Sequence, residues 1–166
     1  MPTNRTILKE RDAKPLIEEI TRKIPGARFP AGKGRVELES VGDAELVLVE
    51  GQPAAVRRNG VLFPSLVNTD SLKVMPKITV DMGAVPHIAG GADVMAPGVR
   101  KIEGEFEAGG LVVVIDEKYG KFLAVGSSMI DSKTMNGTKK GKIIKSLHYV
   151  GDEVWEALKL QSKTAF

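Results

Sequence analysis

Residues 90–99 read Gly-Gly-Ala-Asp-Val-Met-Ala-Pro-Gly-Val, and the reading of this stretch decides the fold. It holds one acid among small and apolar groups, framed by Gly90-Gly91 and Pro97-Gly98. Two backbone-freeing signals around so unreactive a run suit an active-site loop, a phosphate cradle, or a rim where backbone meets a large flat partner. Upstream, Lys77-Ile78-Thr79-Val80 predicts a strand. Asp81 then caps a short helix, or the helix starts at Pro86; either way Gly90-Gly91 ends it by supplying the left-handed residue a helix stop favours. Downstream, residues 111–115 form a core strand, 116–120 turn the chain and 122–125 return it. A helical turn over 131–136 and a last strand over 143–150 complete the pattern. Many short strands with two short helices predict a β-barrel-like unit.

The first half carries a different pattern. Asp12 is placed to cap a helix with Pro15 in its first turn, and Leu16, Ile17, Ile20 and Ile24 make one apolar stripe before Pro25-Gly26 stops it. Val36 and Leu38 alternate with Arg35, Glu37 and Glu39, a half-buried strand; Ala44–Val49 reads as a more buried one. Gly51-Gln52-Pro53 predicts a turn, and Asn59-Gly60 between apolar runs predicts a hairpin. The class is therefore α+β. Residues 1–75 form a helix on an antiparallel meander, 76–156 the β pseudobarrel and 157–166 a tail, with a polar, proline-bounded connection over 64–76.

Bulk composition excludes several functions. The chain has 166 residues, 42% hydrophobic and 27% charged, as a soluble globular protein does. No run approaches the roughly 20 apolar residues that span a bilayer, and the polar start lacks a secretory core, so a cytoplasmic protein without membrane partners is expected. Zero cysteines remove disulfides and thiol chemistry, and two histidines without ligand-spaced partners argue against a metal site. Net charge is only +3, yet Lys133, Lys139, Lys140, Lys142 and Lys145 lie in a span with no acid between Asp131 and Asp152. That patch suits a partner with phosphates at one place, or is simply a solvated loop.

Catalytic readings fail on spacing. Gly137-Thr138-Lys139-Lys140-Gly141-Lys142 has three residues between its glycines and Ile143 after the last lysine, so it is no P-loop. Gly32-Lys33-Gly34 is too short for a dinucleotide fingerprint. Ser127 and Ser128 sit in no nucleophile elbow that would recruit His87 or His148. Glu103, Glu105 and Glu107 read as the wet edge of a strand. No enzyme and no cofactor is expected.

Taken in order, residues 80–99 (VDMGAVPHIAGGADVMAPGV), 121–136 (KFLAVGSSMIDSKTMN) and 141–155 (GKIIKSLHYVGDEVW) resemble a PUA domain, the RNA-binding module named for pseudouridine synthases and archaeosine transglycosylases. With residues 56–66 (VRRNGVLFPSL) upstream, nearly the whole chain is similar to the family of the malignant T-cell amplified protein, ligatin and their archaeal homologues. The resemblance implies a pseudobarrel whose RNA-binding face comprises residues 82–90, 91–95 and 142–148. Eukaryotic members act in translation on the small ribosomal subunit, with a density-regulated-protein partner or a fused initiation-factor-like domain. No such segment is recognised in these residues, so initiation, recycling and modification stay open as roles.

The expected RNA-binding set is His87, Gly90, Gly91, Ala92, Asp93, Val94, Met95, Lys139, Lys140, Lys142 and Lys145. The glycines keep side chains out of a partner's way and leave amides for an anion or a nucleotide edge, while Asp93 accepts from a base or ribose. Strict alternation puts Lys145 on the apolar row of the last strand with Ile143 and Leu147, unless the register is bulged. The expected partner is structured RNA, either the tRNA acceptor end or ribosomal RNA, with the small ribosomal subunit as the setting that the resemblance implies. The alternative is a substrate-binding accessory subunit of an RNA-modification enzyme, and the N-terminal unit is a candidate protein-docking surface through Arg57 and Arg58.

Overall fold

In the computed structural model, which describes residues 5–26 and 34–164, the stripe Leu16, Ile17, Ile20 lies buried on α1 (Glu10–Lys23). The helix starts earlier than Asp12: its cap position is Lys9, without a side-chain bond, and Asp12 joins Glu10 in the first turn. Carboxylates there complement the positive end of the helix dipole. Pro15 consequently stands inside the helix rather than in its first turn. An interior proline costs about 3 kcal/mol. Each buried Leu or Ile of the stripe returns about 1.5–3 kcal/mol, so packing wins. The helix stops at Ile24, and Gly26 turns away with φ +77°.

The first unit's sheet is antiparallel throughout, in the order β1 (Arg5–Ile7), β2 (Val36–Val41), β3 (Ala44–Val49), β4 (Gln52–Arg58), β5 (Val61–Phe63). The helix stripe shares a core with Val36, Val47, Val49, Ala55 and Leu62. Asn59 (φ 52°) and Gly60 (φ 75°) form the expected hairpin turn. The preceding turn differs from expectation. Glu50 (φ 51°) and Gly51 (φ 78°) make it, so Gln52 and Pro53 already belong to β4. Pro53 is tolerated because β5 pairs with β4 only from Val56 onward. Glu39, expected on the wet side, is buried and accepts a 3.2 Å bond from Arg5 Nε. It is covered by β1, a strand of three residues too short to announce itself. The polar connection also contains α2 (Thr69–Val74).

Contacts divide the chain into residues 1–74 with 153–166, and residues 75–152. The sequence boundaries placed 153–156 in the second unit and 157–166 in a tail. Instead α5 (Glu153–Thr164) is a helix whose Val154 and Leu158 are buried and which packs on β2. Two apolar residues four apart on one helix face explain the docking. Ala165 and Phe166 lie outside the described residues.

The second unit is a curled mixed sheet in the order β7 (Val94–Met95), β11 (Lys142–Tyr149), β10 (Phe122–Ser128), β9 (Leu111–Asp116), β6 (Lys77–Val80), β8 (Val99–Glu103). All pairs are antiparallel except β6 with β9. Strand β9 reads as a continuous apolar run because Val112, Val113 and Val114 are all fully buried. The core gathers Ile78, Val80, Ile88, Val94, Val112, Val114, Met135 and Ile144. Two short helices decorate it, α3 (Val85–Ala89) and α4 (Ser132–Asn136). Asp131 caps α4 by accepting from Thr134 N at 2.7 Å, and these bonds hold its carboxyl below the usual range. Asp81 is not the cap of α3. Its Oδ1 accepts from Ala84 N at 2.8 Å in the turn ahead of the helix, whose cap position is Ala84. Of the three spaced glutamates only Glu103 is in a strand. Among the described residues no helix is long and apolar enough to cross a membrane.

Candidate functional site

The segment from β6 to β8 folds around a cavity of about 660 Å³. Asp81, Ala84, His87 and Ile88 line one side, Gly91 to Met95 with Pro97 and Gly98 another, and Lys142 stands at its border. Pairing explains the assembly. Met95 and Val94 form β7 on the edge of β11, opposite Lys142 and Ile144, and Ala96 N donates to Gly141 O at 2.9 Å. The loop 91–97 is thereby laid against the start of β11 and the lysine-rich turn before it.

Several predicted residues do different work from that expected. Gly90 N bonds the carbonyls of Pro86 and His87, Gly91 N that of Ile88, and Ala92 N that of His87, at 3.0–3.1 Å. These amides close the helix and are not open to an anion. Gly91 has φ +95°, and an added Cβ would stand 2.9 Å from the Tyr149 ring, so its bareness serves internal packing. Asp93 Oδ1 accepts from Ser146 N at 2.8 Å, and Oδ2 lies 3.7 Å from Lys142 Nζ. It ties the loop to β11 with both oxygens, which leaves less of it for a ligand than expected. Val94 is buried core at the cavity floor, whereas His87, Ala92 and Met95 are exposed or partly so.

The lysines divide. Lys142 lines the cavity, Lys139 and Lys140 precede it in the exposed turn beside Ala96, and both Lys140 and Lys142 are open to solvent. Lys145 is exposed on β11 without lining the cavity. Its outward aim answers the register question. Ile143 and Leu147 are extra residues in β11 opposite β7 and β10, so the strand is bulged twice. Buried pairs Ile143-Ile144 and Leu147-His148 result, with Lys145 turned out between them. Gly126 opposite makes room, since a Cβ there would meet Ile144 Cγ2 at 2.5 Å. Lys133 belongs elsewhere, lining a second depression of about 480 Å³ with Glu105, Glu107 and Asp131. Among the described residues no ion pair involves Lys133, Lys139, Lys140 or Lys145.

The hydrolase pairings do not form. Ser128 Oγ donates to Ile130 O, Ser127 Oγ to Gly109 O at 3.2 Å, and buried His148 holds Asp152 at 2.9 Å. No group of acids and histidines among the described residues is arranged to hold a metal ion. The turn 137–142 leads into a strand, not the helix a P-loop needs; Gly32 and Lys33 lie outside the described residues. Sequence reading left Asp81, Pro97 and Gly98 outside the expected RNA-binding face, although they line the cavity, and it passed over the exposed Tyr119 between Lys118 and Lys121. A lone aromatic among turn lysines was the available signal.

Residues 76–150 match the PUA domain. Protein MJ1432 of Methanocaldococcus jannaschii is 38% identical over 124 residues, covering 74% of this chain and 76% of its own. Translation machinery-associated protein 20 of Saccharomyces cerevisiae is 28% identical over 131 residues, covering 74% and 72%. A conserved PUA domain protein of Thermoplasma acidophilum superposes with TM-score 0.68 at 28% identity, over 93% of this chain and 99% of that one. The chain therefore belongs to the family of PUA-domain proteins that includes translation machinery-associated protein 20 and malignant T-cell-amplified sequence 1.

Proposed function

We propose that the protein is a non-enzymatic RNA-binding protein of the translation apparatus, which recognises structured RNA (tRNA or ribosomal RNA) at the cavity of the second unit. The observation that carries this reading is the juxtaposition of an open, largely apolar cavity with Lys142 on its wall and with Lys139 and Lys140 in the exposed turn that leads to it. Lys139 and Lys140 form no ion pair among the described residues, and Lys142 meets Asp93 at 3.7 Å while remaining exposed. Ammoniums so placed release counterions when they meet phosphates, which supplies affinity without sequence preference. A concave apolar wall with an exposed His87 suits the face of a base or the end of a strand. The relatives named for the translation machinery support the setting. Asp93 acts in this reading as the strut that fixes the loop, through Ser146 N and Lys142.

The test is binding of unfractionated tRNA by the parent and by the variant carrying Lys139→Glu, Lys140→Glu and Lys142→Glu. The parent binds with an affinity that falls as salt rises. The variant binds at least about tenfold more weakly, and each lost phosphate contact lowers the salt slope by about 0.7–0.9. Equal binding at physiological salt overturns the reading. Recovery of the protein from cells with a modifying enzyme, rather than with ribosomal subunits, favours an accessory role in RNA modification.

A further inference from the structure

The turn joining β9 to β10 sits outside the cavity, and its backbone is unusually well fixed for an exposed tip. Asp116, buried at the end of β9, accepts from the backbone of Tyr119 with one oxygen and of Lys121 at 3.1 Å with the other. Gly120 N bonds Asp116 O at 3.1 Å, and Glu117 N bonds Val80 O at 3.0 Å. On this rigid base Tyr119 is 65% exposed. The Nζ atoms of Lys118 and Lys121 stand 5.2 Å and 5.8 Å from its ring centre. Neither lysine forms an ion pair among the described residues. The tip is also joined to the cavity wall: Asp81 holds Arg100 at 3.1 Å, and Arg100 reaches Glu117 at 3.9 Å. The carboxylates of Asp81 and Glu117 are thus already engaged by a guanidinium, and that of Asp116 by the backbone of the turn.

An exposed aromatic face flanked by two uncompensated cations matches the alternation of base and phosphate along an unpaired strand. We propose that Tyr119, Lys118 and Lys121 form a second RNA contact, in which the ring stacks on an unpaired base and the ammoniums hold the adjoining phosphates. This rests on the RNA-binding reading above and extends the footprint from the cavity past Asp81 and Arg100. The lysines that cover the ring in the free protein are weakly held at an exposed site and yield to a base.

Binding of a short oligoadenylate and of a blunt RNA duplex of equal length is compared for the parent, Tyr119→Ala, Tyr119→Trp, Lys118→Ala and Lys121→Ala, with tRNA as the reference. Tyr119→Ala weakens oligoadenylate binding about tenfold, leaves the duplex and the salt slope unchanged, and keeps the parent's melting temperature. Tyr119→Trp restores binding, and each lysine variant lowers the salt slope by about 0.7. Parent-like oligoadenylate binding by Tyr119→Ala, or a parent that shows no preference for the single strand, overturns this contact while leaving the cavity reading intact if tRNA is still bound. A parent that binds none of these RNAs overturns both.

Discussion

At the scale of single residues, the glycine pair that opens the deciding stretch has an internal purpose. Gly91 takes a left-handed backbone conformation and lies under Tyr149, where any side chain meets both backbone strain and the ring. Gly91→Ala is expected to cost about 1–3 kcal/mol in urea unfolding. Gly141→Ala, with φ +87° but open space around it, bears the strain alone and costs about 1 kcal/mol. Equal losses would show that the ring yields freely. The glycine pair told that a positive φ falls here. It did not tell what stands opposite, because Tyr149 is far along the chain and only the folded sheet brings it near. The same holds for Asp93, whose partner Ser146 becomes visible only once β7 has paired with β11.

Among the elements, strands with unbroken patterns were legible to within a residue, as β3 and β6 were from their own apolar runs. Strand β11 was legible as a strand but not in its faces. Alternation fails there because two bulges each add a residue, and only the partner strands reveal which residues are extra. The short β1 and the amphipathic α5 were missed because three residues and a few apolar positions fall below what periodicity resolves. The β9–β10 turn offers a test that belongs to this scale. Backbone donors from Tyr119 first, and from Lys121, lower the Asp116 carboxyl from its ordinary value against the opposing effect of burial. A carboxylate depressed in the folded state stabilises above its unfolded pKa of about 3.9, and that contribution is lost as pH falls through the folded value. Asp116→Asn is therefore destabilised relative to the parent near neutral pH. The gap narrows as acid unfolding is monitored below about pH 4. A gap that stays constant across that range would refute the assignment.

For the molecule as a whole, the charge distribution marked the lysine-rich stretch of the second unit but not the division of the chain. The first unit is discontinuous, since α5 joins residues from the far end of the sequence to β2. Leu158 is buried to 2% exposure. Leu158→Ala should destabilise the first unit by about 2–5 kcal/mol, read as lost amide protection in β2 and β3, with protection in β9 and β10 retained. Uniform loss of protection would mean that the two units unfold as one. The PUA resemblance pointed to the half expected to meet RNA. The sequence did not tell that five lysines close along the chain part company in space: Lys142 lines the cavity with Lys139 and Lys140 in the turn before it, Lys145 points out from β11, and Lys133 lines another depression.

A discontinuous unit also sets the order of events during synthesis. A chain emerges amino end first, and segments generally condense as they appear. Residues 75–152 hold all the strands of their own sheet, whereas α1 and β1–β5 complete their packing only with α5, which is made last of all these elements. Until that helix arrives, the apolar ground it will cover is open to chaperones and to proteases. The half that is born first is the half that is finished last.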